Sequence, residues 1–252
     1  MPEPLAAAGL TGDALLDGRV ALAQPAAGYR VAIDPVLLAA AVPAQPGERV
    51  LDAGAGTGAA ALCLALRVPS CHVVGIELDP ELCRIARHNI ALNRRSDRID
   101  LLRLDLADAP ERLGEGGFDH VLTNPPYLRA GAATPPPGPG RASAHVEGGR
   151  GLPGWLGDCL RLLRPRGRLT VIHRADRLDV LLSLLSGPVG DLVVFPLWPT
   201  ERAPAAKRVI VRARKGARGP MRLAHGLVLH YLDGRYTEAA EDVLRHGGAL
   251  AL

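Results

Sequence analysis

The feature that most constrains the fold of this chain is a glycine-rich turn between an apolar run and a helical pattern. The turn reads Val-Leu-Asp-Ala-Gly-Ala-Gly-Thr-Gly over residues 50–58. Its glycines, Gly54, Gly56 and Gly58, let the backbone turn tightly and let a ligand approach with no Cβ in the way. A helix that begins there offers free N–H groups. The pattern therefore predicts a strand–loop–helix unit with a ligand site at the end of the strand.

Apolar runs alternate with helical patterns from residue 49 onward. The runs predict seven strands, at 49–53, 72–77, 99–104, 118–123, 168–173, 192–197 and 207–212. Helices are predicted between them at 58–67, 80–93, 152–163 and 175–186, with Gly167 as a C-terminal cap before the fifth strand. This alternation is typical of an α/β fold with a mostly parallel sheet and helices on both faces. Only a short proline-containing turn joins the last two runs, so we expect the last strand to be antiparallel.

The chain divides into a short N-terminal extension and one large domain. Residues 1–47 contain a possible hairpin at 18–24 and a short helix at 35–41, and we expect this extension to pack on the domain formed by residues 48–252. The Gly- and Pro-rich segment 129–150 predicts a flexible loop. Residues 226–252 add a strand-like pattern and an amphipathic helix around 238–245.

Composition excludes several classes of protein. Of the 252 residues, 48% are hydrophobic and 22% charged, which permits a large core and argues against a disordered chain. An apolar stretch long enough to span a membrane, a secretion signal and a metal-ligand spacing are all missing from the sequence. The four cysteines are far apart and predict reduced thiols in a cytoplasmic protein.

A carboxylate directly precedes the glycine loop. Gly54, Gly56 and Ala59 also fit the GxGxxA form of the nicotinamide-dinucleotide fingerprint. Asp52, however, stands where a pyrophosphate would otherwise sit. A ligand that carries an ammonium group and no phosphate suits this carboxylate better, so we favour an adenosyl-sulfonium ligand over a dinucleotide.

Acidic residues also follow the next two strands. Glu77 ends a strand about 20 residues past the glycine loop, where a carboxylate suits a pair of ribose hydroxyls. Asp79, followed by Pro80, is better explained as a helix N-cap. Asp105, followed by Leu106, is able to accept a hydrogen bond from an adenine amino group. Taken alone, Asp105 is better explained by solubility at a strand end, and the adenine role is favoured only because the strand order places it beside the same crevice.

The fourth strand is followed by Asn124, Pro125, Pro126 and Tyr127. Taken alone, Asn-Pro indicates a turn and Tyr127 is an ordinary loop aromatic. The position is what favours function, because open α/β sheets bind ligands at the carboxyl ends of their strands. Two prolines fix φ and aim the backbone carbonyls, and Tyr127 offers a ring on which a planar substrate can stack.

The segments DAGAGTG, IELD, LDLAD and NPPY, in this order and spacing, resemble the class I S-adenosylmethionine-dependent methyltransferases, which have a Rossmann-like fold. NPPY resembles the branch that methylates amino groups of adenine, cytosine, guanine or glutamine. The resemblance implies S-adenosylmethionine as the cofactor, held by Asp52, Gly54, Gly56, Gly58 and Glu77, with Asp105 and Leu106 at its adenine. It implies a catalytic motif of Asn124, Pro125, Pro126 and Tyr127.

The chemistry of an exocyclic amine explains such a motif. Conjugation to a ring delocalises the lone pair of the nitrogen. Hydrogen bonds from its N–H groups to Asn124 Oδ1 and the Pro125 carbonyl would favour a pyramidal nitrogen in line with the sulfonium methyl group. The cofactor supplies the electrophile and the protein supplies position, so we expect no dedicated general base.

Flanking segments resemble the tRNA(Val) adenine-37 N6-methyltransferase family, which implies tRNA as the partner. The resemblance is carried by 24–39, 202–209, 227–229 and 236–239. Within it, Asp34 is implied to reach the methionine end of the cofactor; an N-cap before Pro35 is the alternative. The chain departs from many relatives at Ile33, where they have Thr or Ser, and in the length of the 129–150 loop.

Charge separates the two halves of the sequence. The net charge of +4 combines −5 in residues 1–126 with +9 in residues 127–252. Between 202 and 222 lie eight basic residues and no acid, and the strand pattern places three arginines on one face. We predict RNA contacts for Arg202, Lys207, Arg208, Arg212 and Arg214. A solvated strand face that is rich in arginine through codon bias is the alternative.

Four other functions remain open at this stage, one of which is methylation of an amino group in rRNA. Release-factor glutamine methyltransferases share NPPY, but such relatives carry an N-terminal helical domain, for which the residues before the first core strand are too few. DNA adenine methyltransferases usually need an added target-recognition domain. A catalytically silent nucleic-acid-binding protein is disfavoured by the intact Asp52 and NPPY motif. The sequence leaves the oligomeric state open.

Overall fold

The computed structural model describes residues 9–27, 30–126 and 150–252. The strands in these residues are β1 (Leu10–Leu15), β2 (Val20–Pro25), β3 (Arg49–Ala53), β4 (His72–Glu77), β5 (Ile99–Arg103), β6 (Phe118–Thr123), β7 (Leu163–Arg174), β8 (Val189–Thr200), β9 (Arg208–Lys215), β10 (Arg222–Leu223) and β11 (Leu227–His230). The helices are α1 (Asp34–Ala41), α2 (Ala59–Arg67), α3 (Pro80–Leu92), α4 (Ala109–Leu113), α5 (Gly151–Leu162), α6 (Leu178–Leu185) and α7 (Glu238–His246), with a 3-10 turn at Ala175–Arg177.

One sheet forms the centre of the molecule, with strand order β10-β8-β9-β7-β6-β3-β4-β5 and β11 also paired with β8. Strands β3, β4, β5, β6 and β7 are parallel to one another, whereas β9 is antiparallel to both β7 and β8. The predicted α/β sheet with an antiparallel last strand is therefore confirmed. The number of strands differs, because the short β10 and β11 extend the sheet from seven strands to nine. A two-residue strand such as β10 is too short to show a periodic pattern.

Alternating strand side chains create a buried layer on each face of the sheet. Val50 in β3 lies in the layer that contains the apolar residues of α1 and α2. Its neighbour Leu51 lies in the opposite layer, with Leu152 and Leu156 of α5. Helices therefore cover both faces, as the alternation of strands and helices predicts.

The hairpin in the N-terminal region starts earlier than the predicted 18–24, since β1 pairs with β2 from Leu10 to Pro25. Asn89 of α3 and Asn93, which caps the end of that helix, hold the second strand of the hairpin. Asn93 bonds to both backbone groups of Ala21, with Nδ2–O and N–Oδ1 distances of 2.7 and 2.9 Å, and Asn89 does the same at Ala23. The two side-chain amides thus take the place of a neighbouring strand.

The prediction that Gly167 forms the C-terminal cap of a helix is wrong. Helix α5 ends at Leu162 and β7 begins at once, with residues 164–167 bulging opposite one residue of β6. A Cβ on Gly167 would lie only 2.9 Å from the carbonyl oxygen of Arg164 and 3.0 Å from that of Asp119. Glycine is needed at this position for close backbone packing in a bulge, a role that the sequence pattern does not distinguish from a helix cap.

Candidate active site

The ends of β3, β4, β5 and β6 meet at one edge of the sheet, which we call the carboxyl edge. Ala53 lies beside both Ile76 and Thr123 in the strand register. Asp52, Glu77 and Asn124 are therefore brought together, as expected for parallel strands. The carboxyl ends of β7 and β8 lie at the same edge, because β9 reverses the chain between them.

The glycine loop adopts a conformation that requires its glycines. Gly54, Gly56 and Gly58 have φ angles of +77°, +56° and +81°, a region that other residues enter only with strain. The amides of Gly54 and Ala55 donate to the carbonyl of Ile76 at 3.0 and 2.9 Å, which fixes the loop against β4. The loop therefore carries no side chain at these three positions, where it follows the carboxyl end of β3.

Asp52 lies beneath the loop rather than in front of it. Its side chain is buried, and Oδ2 accepts a hydrogen bond from the Ala61 amide, in the first turn of α2, at 3.2 Å. Burial raises the pKa of Asp52 to about 7, with the Ala61 amide opposing the shift and the nearby Glu77 adding to it. The described contacts therefore give Asp52 a role in joining β3 to α2, in addition to the predicted role at the cofactor.

Glu77 connects the end of β4 to the glycine loop. Oε2 accepts from the Gly56 amide at 2.9 Å, and Oε1 accepts from the amides of Leu78 and Asp79 at 2.8 and 2.9 Å. Burial raises the pKa of this half-buried carboxyl, and the three amide bonds oppose that shift. The carboxylate is held rigidly beside the loop, where the prediction places a ribose.

The N-cap assignment of Asp79 is confirmed, since its Oδ1 accepts from the amides of Glu81 and Leu82 at 2.8 and 3.0 Å.

Asp105 lies two residues beyond β5 with an exposed side chain, and its Oδ1 accepts from the Ala107 amide at 3.0 Å. Leu106 is buried. This turn holds the Asp105 carboxylate at the carboxyl edge, where the predicted adenine contact would be made.

The Asn-Pro-Pro motif is tied to the glycine loop through the residue before it. Thr123 Oγ1 donates to the Ala53 carbonyl at 2.8 Å, at the point where the glycine loop begins. Asn124 and Pro126 are half-buried and Pro125 is buried. Tyr127, predicted to stack on a planar substrate, lies outside the described residues.

Trp155 is a site residue that the sequence analysis missed. Its indole Nε1 donates to Thr123 Oγ1 at 2.9 Å, and its ring lies 3.0 Å from where a Cβ on Gly54 would stand. A chain of two hydrogen bonds therefore runs from α5 through β6 to β3. The only signal in the sequence is a tryptophan in the first turns of a helix, which by itself indicates a core position.

Asp34 and Arg208, predicted to bind different ligands, form an ion pair with 3.0 Å between Oδ2 and Nε. Asp34 is the first residue of α1, and the N-cap position is Ile33, which makes no side-chain capping bond. The alternative N-cap role of Asp34 is therefore wrong. The pair connects the start of α1 to the end of β9 nearest the carboxyl edge.

The predicted RNA-contacting residues are divided along β9. Arg202, Lys207 and Arg208 lie at the carboxyl edge, whereas Arg214 lies six residues further along the strand, about 20 Å away. Between them, Arg212 donates to the carbonyls of Ala41 and Leu252. Arg214 donates to the carbonyl of Arg166 at 3.1 Å. The shared face of the three β9 arginines, opposite Val209, Val211 and Ala213, is as predicted.

The donor set at the carboxyl edge fits S-adenosylmethionine. The loop glycines leave room for close approach of the cofactor, and the fixed Glu77 carboxylate suits two hydroxyl groups.

Within residues 9–27, 30–126 and 150–252, no three His, Cys, Asp or Glu side chains are grouped to hold a metal ion. None of the described helices is both long and apolar enough to cross a membrane. The four cysteines are buried free thiols.

Comparison with known proteins gives consistent results. The methyltransferase small domain family matches residues 30–136. A tRNA1(Val) (adenine(37)-N6)-methyltransferase of Aeromonas hydrophila is 31% identical over 211 residues, which are 83% of this chain and 86% of the relative. A Porphyromonas gingivalis protein of the same name is 36% identical over 164 residues, 63% of this chain and 64% of the relative.

Among solved structures, a predicted O-methyltransferase from Agrobacterium tumefaciens matches with a TM-score of 0.72 and 25% identity, over 87% of this chain and 99% of that one. Pyrococcus horikoshii TYW2, solved with MeSAdo, shares the fold with a TM-score of 0.55 and 16% identity, over 82% of this chain and 71% of that one. The protein is thus an S-adenosylmethionine-dependent methyltransferase. From the A. hydrophila similarity, the chain belongs to the tRNA1(Val) (adenine(37)-N6)-methyltransferase family.

Proposed function

We propose that this protein methylates the N6 amino group of an adenine in the anticodon loop of tRNA, position 37 of tRNA1(Val) by the names of its relatives. The observation that carries the proposal is the placement of Asn124 and Pro125 at the carboxyl edge, fixed to the glycine loop by the Thr123–Ala53 hydrogen bond. Because tRNA is the substrate, we also propose that the protein binds RNA and acts in the cytoplasm.

The roles of the site residues follow from the chemistry of the amine. S-adenosylmethionine, when bound, supplies a methyl group on a positively charged sulfur. Asn124 Oδ1 and the Pro125 carbonyl accept hydrogen bonds from the two N6 hydrogens and direct the nitrogen lone pair toward that methyl group. As the N–C bond forms and the S–C bond breaks, N6 loses one proton to water. Tyr127 supplies a stacking surface for the adenine.

For the cofactor, we propose that Glu77 binds the ribose hydroxyls and that Gly54, Gly56 and Gly58 line the adenosyl group. Asp105 and Leu106 contact the adenine. Asp34 approaches the methionine end from the start of α1, held there by Arg208. Asp52 contributes to the cofactor site from the end of β3, which its bond with the Ala61 amide joins to α2.

Methyl transfer to unmodified total tRNA, followed by mass spectrometry of the nucleosides, tests the proposal. We expect N6-methyladenosine, located by mapping to one anticodon-loop position. A transcript in which that adenine is replaced by guanine is the matched control and should accept no methyl group. Methylation of a release-factor glutamine, with none on RNA, would overturn the proposal in favour of a protein substrate.

A further inference from the structure

Four arginines on one face of the sheet form a positive patch that the catalytic site does not use. We infer that this four-arginine patch, Arg168, Arg212, Arg214 and Arg222, binds the phosphate backbone of the RNA substrate at a distance from the target base. The inference rests on the proposed function, and it adds two arginines that lie outside the predicted RNA contacts.

Strand register places the four side chains together. Arg168 of β7 lies directly opposite Arg214 of β9, and residues that face each other in an antiparallel pair point to the same side of the sheet. In the next row, Arg212 lies opposite Val193 of β8, which is in turn beside Arg222 of β10. Two adjacent rows across four strands therefore carry four guanidinium groups.

Little negative charge opposes this concentration of positive charge. Asp191 reaches Arg214 at 3.8 Å, and Arg212 donates to the Ala41 carbonyl and to an oxygen of Leu252 at the chain end. Arg168 and Arg222 have no ion-pair or hydrogen-bond partner among the residues that the structure describes. Burial lowers the pKa of Arg212, and the charges of Arg168 and Arg222 lower it further. Like charges opposite each other destabilise a sheet, so the cluster is a cost to the folded protein that an anionic ligand would offset.

The location of the patch suits a large nucleic acid. Arg222 lies four strand spacings from β6, which is about 19 Å across the sheet, and Arg168 lies on the neighbouring strand, three residues before the level of Thr123. A single nucleotide bound at Asn124 does not extend that far, but a folded tRNA does. Arginine is also suited to phosphate, because its planar fork donates two parallel hydrogen bonds.

The experiment uses the full chain with Arg168→Gln and Arg222→Gln combined. The control combines Arg94→Gln with Arg112→Gln, which are exposed and lie toward the β5 side of the sheet, so that the net charge changes equally. We expect the patch variant to bind tRNA about 10-fold more weakly and to reduce the slope of log affinity against log salt by about 2. The control should bind tRNA like the unmodified protein, and both should bind S-adenosylmethionine equally.

Thermal unfolding separates binding from structure. Because the four arginines repel one another, the patch variant should have the same Tm as the unmodified protein or a higher one; a lower Tm would show that these side chains stabilise the fold. Unchanged tRNA affinity and salt slope in the patch variant, with methyl transfer to tRNA intact in the unmodified protein, would overturn the inference alone. If the unmodified protein transfers no methyl group to RNA, the proposed function fails, whatever the patch variant binds.

Discussion

The two halves of the sheet use their charged side chains in opposite ways. At the end of β3 and β4, the carboxylates of Asp52 and Glu77 accept hydrogen bonds from backbone amides of the glycine loop and the first turn of α2. On β9, the guanidinium groups of Arg212 and Arg214 donate to backbone carbonyls of α1, the chain end and the β7 bulge. On both sides of the sheet, charged side chains hold backbone groups in place. Only on the β3–β4 side, which we call the first half, do these contacts all lie near the carboxyl edge.

The difference shows why a charged segment is a weaker guide to function than a short motif. The partners of the carboxylates lie nearby in sequence, 9 residues away for Asp52 and 21 for Glu77, within one βαβ unit. The carbonyls that bind Arg212 are 171 and 40 residues away. A basic run is therefore divided by tertiary contacts that the sequence does not show.

The largest effect is expected where the first half meets the substrate. Asn124→Ala removes the hydrogen-bond acceptor that we propose for the reacting amine and should lower the rate of methyl transfer by about 10²–10³-fold. Affinity for S-adenosylmethionine should change little, because Glu77 and the loop are bonded independently of Asn124. Single-turnover kinetics measure the rate of methyl transfer, and isothermal titration measures the affinity for S-adenosylmethionine. An equal loss of cofactor binding would contradict the separation between orienting and binding residues.

The next effect concerns the buried carboxyl of Asp52. Its pKa rises from 3.8 to about 7 on folding, so the folded protein holds a proton that the unfolded chain releases between those values. The resulting stabilisation is complete below about pH 4 and is lost as the pH rises through about 7, with a size of at most about 4 kcal/mol. Asp52→Asn keeps an oxygen acceptor for Ala61 and should remove this pH dependence.

Urea unfolding at a series of pH values measures the effect as the difference between the unmodified protein and Asp52→Asn. The difference cancels the groups common to both proteins apart from Glu77, whose charge acts on Asp52 and whose own titration therefore contributes to the difference. Parallel stability curves from pH 4 to pH 8 would mean that Asp52 stays ionised beneath the loop. The hydrogen bonds from backbone amides would then be sufficient to keep both carboxyl groups ionised.

Much of this organisation could be predicted from the sequence, and the exceptions share a physical cause. Strands β3, β4 and β6 have the predicted bounds because buried parallel strands are continuous apolar runs between turn residues. The role of Gly167 differs from the prediction because its bulge packs against the carbonyl of Asp119, which is distant in sequence. Trp155 was missed for the same reason, since its partner Thr123 lies 32 residues away across the 127–149 segment.

That missed contact gives a prediction of intermediate size. Thr123→Val keeps the shape of the side chain but leaves the Ala53 carbonyl and the Trp155 indole N–H without their partner. We expect a loss of about 1–3 kcal/mol in stability and a fall of about 10-fold in kcat. Thr123→Ser retains the hydroxyl and should recover most of kcat. If the serine variant is as slow as the valine variant, packing of the methyl group rather than the hydrogen-bond chain positions Asn124.

The smallest effect separates structural from functional amide contacts within the first half. Asn93 bonds the hairpin at Ala21 and the Asn89 carbonyl in α3, whereas Asn89 bonds the hairpin and also donates to the Thr57 carbonyl in the glycine loop at 2.9 Å. Asn93→Ala should cost about 1 kcal/mol in stability and leave cofactor affinity unchanged. Asn89→Ala should weaken cofactor binding as well, because it releases the loop. Urea unfolding and isothermal titration of the two variants decide the matter: equal cofactor affinities would show that the loop is held by Ile76 and Glu77 without help from α3, so that the ligand site depends on the strand ends alone.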